Sequence, residues 1–391
     1  MNKIALRNSG AQFHKTIWFD GLGGGMKKLL MITMAASPHQ VRFVPYLAKY
    51  FDVQHYFYAR LDGRQKFWDV DMGDRCHILP CKFTWRRRYF TLSVLSVLRK
   101  EKPDVLMLGT FSIPSNYLAY LWARWHNVPV AVWVERSRDK YGKLRGYGIV
   151  WRFLHFLYRN VSRVVVVSDD IVPQFRDTFH FGSKVVVGRY PSDIDQYYKH
   201  PIRNRKDSYT LIFANRMTEI YNPVGAIDIF AEVLKRYPKT RLKINASGEM
   251  RQDVELRIRH YGIEKSVEFL DNIKTWDDLS AVYAASDIMY LPAKFSNGNY
   301  TIGECRVSGM GVIISDKVLG FSAMDMKSAG TGFIVPLDNQ KFVEKICWYI
   351  EHPEAFTSEV KINREQLRYL THEETAKAYN KLFNSMLGEE G

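Results

Sequence analysis

From Lys27 onward, short apolar or β-branched runs alternate with longer segments whose apolar residues recur at helical spacing. The first half offers the strand-like runs KLLMITMA, DVQHYFYA, HILPC, DVLMLGT, PVAVWVE, RVVVVS and KVVVGRY, separated by segments such as QVRFVPYLAKYF, TLSVLSVLRKEKP, SNYLAYLWARWHN and VWRFLHFLYRNVS. Continuous apolar strands joined by amphipathic helices require a parallel sheet covered on both faces. The alternation breaks at PSDIDQYYKHPIRNRKDS and restarts with YTLIFAN, RLKINASG, SVEFL, IMYLPA, GVIISD and GFIVP. The expectation is an α/β chain of two doubly wound, Rossmann-like domains, with ligands at the carboxyl ends of the strands. Its boundaries read 1–25 as an extension or tag-like segment, 26–195 as the first domain and 196–208 as a linker. Residues 209–370 form the second domain, and 371–391 a helix that crosses back to the first.

The 391 residues carry a formal net charge of +15, placed unevenly: 28 Lys/Arg against 14 Asp/Glu in residues 26–200, and 25 against 26 in 201–391. An anionic partner therefore belongs to the first half. No run reaches the roughly 18 apolar residues of a membrane-spanning helix, and residues 1–25 hold no signal-peptide core, so a cytoplasmic chain is expected. Cys76, Cys81, Cys305 and Cys347 show no C-x-x-C spacing and read as free thiols. A G-x-G-x-x-G turn after a strand, a P-loop, H-E-x-x-H and G-x-S-x-G are all absent, which removes the common dinucleotide, ATPase, zinc-protease and hydrolase readings. The basic residues are dispersed and no nucleic-acid-binding signature occurs, so nucleic acid is not an expected partner.

FSNGNYTIGECRVSGMGVIISD, 295–316, reads as a turn that opens a helix after the strand IMYLPA. A helix N-terminus suits a phosphate, and Glu304, one turn in, suits a neighbouring sugar hydroxyl. An acid placed in a first turn for dipole reasons alone is the alternative. Arg216 follows another strand, where a guanidinium can clamp a diphosphate. Gly248, in the SGE turn after a third strand, permits close backbone approach, and Asn272 and Ile273 supply a further loop at the same edge.

In this order the motifs NR, SG, VEFLDN, DDLSAVYAASDIMYLPA, GECRVSGMGVIIS and GTGFIVP resemble the nucleotide-sugar-binding half of GT-B glycosyltransferases of the family 4, or group 1, type. SPHQVRFVPYLAKYF, LAYLWARWHNVPVAVWVERSRD and VSRVVVVSDDIVPQF fit the acceptor-binding half more loosely. The resemblance implies two domains facing across a cleft, and transfer of a sugar from a nucleoside-diphosphate sugar to a glycan or polyprenyl-phosphate-linked acceptor. Retention of configuration and a role in bacterial surface polysaccharide synthesis are implied with it.

Arg216 would hold the donor diphosphate, Glu304 the ribose, and the backbone of Tyr300, Thr301 and Ile302 a phosphate or sugar. Asn272 and Ile273 would border the base, with Asn222 and Gly248 also in the donor site. Two departures stand out: the family's E-x7-E motif would want an acid at 296, eight residues before Glu304, where Ser296 stands, and Tyr221 and Asn222 occupy the place of a basic residue. Asn297 and Asn299 could bind sugar hydroxyls instead. A non-catalytic sugar-nucleotide-binding subunit and a GT-B nucleotide-sugar epimerase are the alternatives.

Glu135, ending a strand, is the first catalytic candidate, as a base or a stabiliser of positive charge on the sugar; an ion pair with Arg136 or Arg138 is its other reading. His39, after the first strand, is the second. No D-x-D lies in a suitable context, and Arg216 with a helix terminus can neutralise a diphosphate, so neither metal nor cofactor is expected. KFTWRRRYFTLSVLSVLRK, with Trp85, Arg86, Arg87 and Arg88, and YGKLRGYGIVWRFLHFLYRNVSR at 141–163 are candidate contacts for an acceptor or an anionic membrane. Peripheral attachment at the inner face of the plasma membrane follows as an expectation.

Overall fold

The computed structural model describes residues 25–61, 66–81, 83–85, 88–138, 143–202 and 208–389. Strands β1 (Lys28–Ala35), β2 (Asp52–Ala59) and β3 (Cys76–Ile78) are followed by a short antiparallel hairpin, β4 (Phe83–Trp85) with β5 (Arg88–Phe90). Then come β6 (Val105–Gly109), β7 (Val130–Val134), β8 (Arg163–Val166) and β9 (Val185–Val187). Apart from the hairpin these form one parallel sheet in the order β3-β2-β1-β6-β7-β8-β9.

The second domain repeats the plan with β10 (Thr210–Phe213), β11 (Arg241–Ile244), β12 (Val267–Phe269), β13 (Ile288–Leu291), β14 (Gly311–Ser315) and β15 (Phe333–Val335). Their order is β12-β11-β10-β13-β14-β15, again parallel. Each sheet reverses its winding once, between β1 and β6 and between β10 and β13. Crevices open at such points, so the loops after β1, β10 and β13 are the natural walls of a site.

β6, β7, β13 and β14 are apolar along almost their whole length because helices cover both faces of each sheet. One face of the first sheet packs Leu98, Ala119 and Tyr158 from its own crossover helices. The other face is completed from the far end of the chain: Ala376, Tyr379 and Phe383 of the helix His372–Leu387 pack among Leu29, Met31, Phe57 and Trp133. The Trp133 indole donates to the Tyr379 hydroxyl, which donates in turn to the carbonyls of Gly188 and Arg189 at 3.0 and 2.9 Å.

Three local readings change. QVRFVPYLAKYF is not one helix but two single turns, Pro38–Val41 and Val44–Leu47, since Pro45 has no N–H to carry a ladder between them. In the basic segment 82–100 a hairpin precedes the helix Ser93–Glu101. The polar stretch after Pro191 connects the domains yet lies largely inside: Ser192, Asp193, Ile194, Gln196 and Tyr197 are all buried.

Candidate functional site

A cavity of about 260 Å³ lies between the domains. His39 from the Pro38–Val41 helical turn after β1, and Phe67 and Trp68 from the connection between β2 and β3, form its first-domain side. Asn215 and Arg216 after β10, Asn245 and Ser247 after β11, and the helix Tyr300–Val307 after β13 form much of the opposite side.

The Tyr300–Val307 helix is anchored before it begins. The Asn299 side chain accepts from the Thr301 N–H at 2.9 Å, capping the helix, while the Asn299 backbone is tied at both N–H and carbonyl to the Ser322 hydroxyl. Gly298 and Gly320 take φ values of 106° and 78°; a Cβ on Gly320 would meet the Asn297 carbonyl at 2.4 Å, so only glycine allows the two loops to lie so close.

One turn into that helix, the Glu304 carboxyl reaches the cavity wall. Its Oε1 is buried without a hydrogen-bond partner and stands 3.9 Å from Nε2 of His39. Burial, with the field of Asp193 added, pushes this carboxyl up to about 8. His39 Nδ1 accepts the backbone N–H of Asp193 at 3.0 Å, which leaves the imidazole proton on Nε2, toward Glu304. Asp193 accepts from the Trp276 indole at 2.7 Å, from Gln196 at 3.1 Å and from Arg42 at 3.1 Å. Burial raises its carboxyl to about 6, against the lowering effects of Trp276 and Arg42. Arg42 also grips Asp277 with two hydrogen bonds, at 2.6 and 2.9 Å, so one first-domain guanidinium holds both the connecting segment and the second domain.

Aromatic rings pack around His39 on the cavity lining. Trp68 and Trp276 lie edge to face at 4.9 Å, each also against the His39 ring, at 5.8 and 4.9 Å. On the same lining Asn245 accepts from the Ser247 N–H and hydroxyl at 2.8 and 2.9 Å, and the Asn215 Oδ1 is buried without a partner. The combination of flat apolar walls, two unpaired acceptor atoms and an exposed cation, Arg216, at the cavity lining suits a ligand with a planar ring, hydroxyl donors and an anionic tail.

Of the residues singled out from sequence, His39, Arg216, Ile273, Asn299, Thr301 and Glu304 line this cavity. Tyr300 lies beside it, its ring 5.7 Å from that of His39 and its hydroxyl donating to the Tyr190 carbonyl at 2.5 Å. Gly248 stands behind the wall with φ 137°, where a Cβ would come within 2.2 Å of the Met217 carbonyl. Asn272 is exposed beyond Ile273, Asn297 keeps a buried, unpartnered Oδ1 outside the cavity lining, and Ile302 is in the core.

Asn222 turns its side chain to the Gly225 N–H at 3.3 Å and caps the helix Pro223–Arg236, so its amide is engaged away from the wall. Ser296 is buried and paired with Val318, its N–H and carbonyl bonded to Lys317 and Leu319. Glu135 is exposed at the end of β7, close enough to influence Tyr190 and Tyr221; Arg136 pairs with Asp170, and Arg138 stacks on the Phe295 ring at 4.5 Å. Trp85 ends β4 and Arg88, exposed, begins β5, while Arg86 and Arg87 lie outside the described residues.

Sequence reasoning missed Phe67, Trp68, Trp276, Arg42 and Asp193 as parts of the site. Only the adjacent aromatic pair in the polar run RLDGRQKFWDVDMGD gave a signal. The four cysteines are free, and among the described residues no helix is long and apolar enough to cross a membrane.

Two family models match the chain in succession: "Glycosyl transferase 4-like domain" over residues 32–190 and "Glycosyl transferases group 1" over 196–367. An uncharacterized glycosyltransferase of Methanocaldococcus jannaschii is 23% identical over 205 residues, which is 46% of this chain and 48% of that protein; the match thus spans about half of each. Among solved structures, a glycosyltransferase from Rickettsia africae superposes with a TM-score of 0.70 at 14% identity, over 92% of this chain and 99% of that one. Anabaena HepE in complex with UDP does so with a TM-score of 0.69 at 14% identity, over 92% and 100%. Successive matches to both halves, on two doubly wound domains that face each other across a lined cavity, identify the chain as a member of the GT-B glycosyltransferases of the family 4 type.

Proposed function

We propose that the chain transfers a sugar from a nucleoside-diphosphate sugar, with the nucleotide in the cavity between the domains, to a glycan or polyprenyl-phosphate-linked acceptor. The observation that carries the reading is the buried Glu304 oxygen without a partner, one turn into a capped helix and on the same cavity wall as Arg216. In this reading Glu304 binds the ribose hydroxyls, and the Trp68 and Trp276 end encloses the base. The diphosphate lies between Arg216 and the N-terminus of the Tyr300 helix, whose N–H groups and dipole favour anions. Those groups supply positive potential of their own, which is why the reading invokes no metal.

Glu135 acts at the sugar end as a base or as a stabiliser of the developing positive charge, with His39 orienting the donor. Retention of configuration and a place in surface polysaccharide synthesis at the inner face of a bacterial plasma membrane complete the proposal. The UDP in the Anabaena HepE complex makes uridine nucleotides the first donors to test.

A thermal-shift panel of UDP-, GDP-, CMP- and dTDP-sugars with their free nucleotides tests the donor site, because a ligand of the native state raises the melting temperature. Stabilisation by one nucleotide series supports the reading, and silence across the panel overturns it. Ser296 favours a second reading, sugar-nucleotide binding without transfer, since it stands where an acid is expected and is buried away from the cavity. Nucleotide release that requires acceptor excludes both that reading and an epimerase, and NMR of the product assigns its anomeric configuration.

A further inference from the structure

The second domain exposes its large apolar side chains singly, as at Ile220, Leu256 and Ile362, which is ordinary for a water-soluble surface. The first domain does not. Its helix Ile149–Tyr158 buries Trp151 and Tyr158 against the sheet but leaves Ile149 84%, Phe153 60% and Phe156 62% exposed, at positions that share one outer face.

The helix Pro114–Trp125 lies alongside: Tyr117 and Tyr120 contact the Tyr158 ring at 5.7 and 4.9 Å. It adds Leu121 and an 86% exposed Trp125. Isolated exposed hydrophobes need no explanation; a cluster of this size on adjacent helices marks a contact surface.

Along the two helices and the sequence flanking them the charge is all of one sign. Arg124, Arg152 and Arg159 flank it, Arg159 sits over the Phe156 ring at 5.1 Å, and the sequence holds no acid in 111–134 or in 140–168. Lys184, whose ammonium donates to the Arg159 carbonyl, is held below its ordinary value by burial and by neighbouring Arg124.

We infer that the outer face of the Ile149–Tyr158 and Pro114–Trp125 helices is a docking surface for an anionic lipid bilayer. Aromatic and aliphatic side chains enter the headgroup boundary while the flanking arginines meet lipid phosphates, each basic residue contributing on the order of a few-fold in affinity. A second copy of the chain fits poorly. A two-fold contact through this face would bring the arginines of one copy into the patch carrying those of the other, with no acid in either helix to answer them.

The inference goes beyond the transfer reaction and stands on exposure and charge alone, but it has a consequence for it. The Trp151 indole donates to the Ser137 hydroxyl at 3.0 Å, and the next residue, Arg138, stacks on Phe295 of the second domain. The docked helix therefore adjoins the mouth of the cleft, where an acceptor still anchored in the bilayer could present its polar end.

The test is co-sedimentation of the full chain with phosphatidylcholine vesicles, with and without phosphatidylglycerol. Binding is expected only with phosphatidylglycerol, to weaken with added salt, and to fall about tenfold or more in Phe153→Asp, from loss of one buried aromatic side chain. Phe153→Asp should keep the nucleotide-induced thermal shift, which separates failure of the surface from failure of the donor site. Should that variant not fold, Arg152→Glu combined with Arg159→Glu provides the same reading. Binding indifferent to phosphatidylglycerol or to these substitutions overturns the inference. So does a wild-type dimer, seen by light scattering, that Phe153→Asp dissociates.

Discussion

The Nε2 of His39, in the first domain, stands 3.9 Å from Oε1 of Glu304, in the second, beyond hydrogen-bond range. Burial of that carboxyl, with the field of Asp193 added, makes stability depend on pH. Glu304 ionises near 4.5 when the chain is unfolded and near 8 when folded, so between those values the folded state holds the extra proton. The stabilisation is whole below about 4.5 and declines as pH rises through 8. Asp193, raised from 3.8 to about 6, acts in the same direction over a lower window. Glu304→Gln keeps the neutral shape and removes one slope: melting curves of the variant and wild type should coincide most closely near pH 4 and separate by pH 9, with the variant the more stable.

Ligand binding reads the same carboxyl differently. Glu304→Ala removes the group assigned to the ribose and should weaken nucleotide binding by about 1–3 kcal/mol, the cost of leaving a hydrogen-bonding ligand group without its buried partner. Titration calorimetry with the best-binding nucleotide measures it. Unchanged affinity in a folded variant would remove Glu304 from the donor site.

Asn222 separates a structural from a binding role. Its φ of 55° and its bond to the Gly225 N–H make it the cap of a 14-residue helix. Asn222→Ala should lower unfolding free energy by about 1–2 kcal/mol, from the lost cap and a left-handed backbone that Ala resists. Asn222→Gly should cost only a few tenths of that scale. Nucleotide affinity should hold in both, which urea denaturation and calorimetry together decide.

Arg42 joins three parts of the molecule, and Arg42→Ala leaves the buried Asp193 with its indole and amide donors alone. A loss of about 1–3 kcal/mol is expected, most of it from the uncompensated carboxylate, since the exposed Asp277 end contributes little. Because Asp193 is easier to protonate, the loss should shrink toward pH 5. Arg42→Lys cannot reproduce the two-pronged grip on Asp277 and should recover only part of the difference.

Much of the fold was legible because parallel strands buried on both faces must be apolar throughout. DVLMLGT and GVIISD hold such runs and became β6 and β14. The helix carrying Glu304 was legible for a similar local reason, a glycine and asparagine turn after a strand. What was hidden depends on partners far away in sequence. Nothing near Asp193 announces Trp276, 83 positions on, or Arg42, 151 positions back. PSDIDQYYKH looked like a solvated linker because a composition rule sees only its polarity, while Asp193 is held inside by those distant donors. Asn222 was misleading in another way, since an asparagine beside a ligand loop is equally a helix cap, and only the backbone geometry tells the two apart.

The chain passes between the domains twice, once through the segment around Asp193–Tyr198 and once just before His372, and the Asp195 carboxylate accepts the His372 N–H at 3.0 Å. Two crossing segments fastened side by side join the domains along a line and not at a single point. The same arrangement sets an order for biosynthesis. One face of the first domain stays bare until the helix His372–Leu387 leaves the ribosome, so the domain made first is finished only after the second has been made.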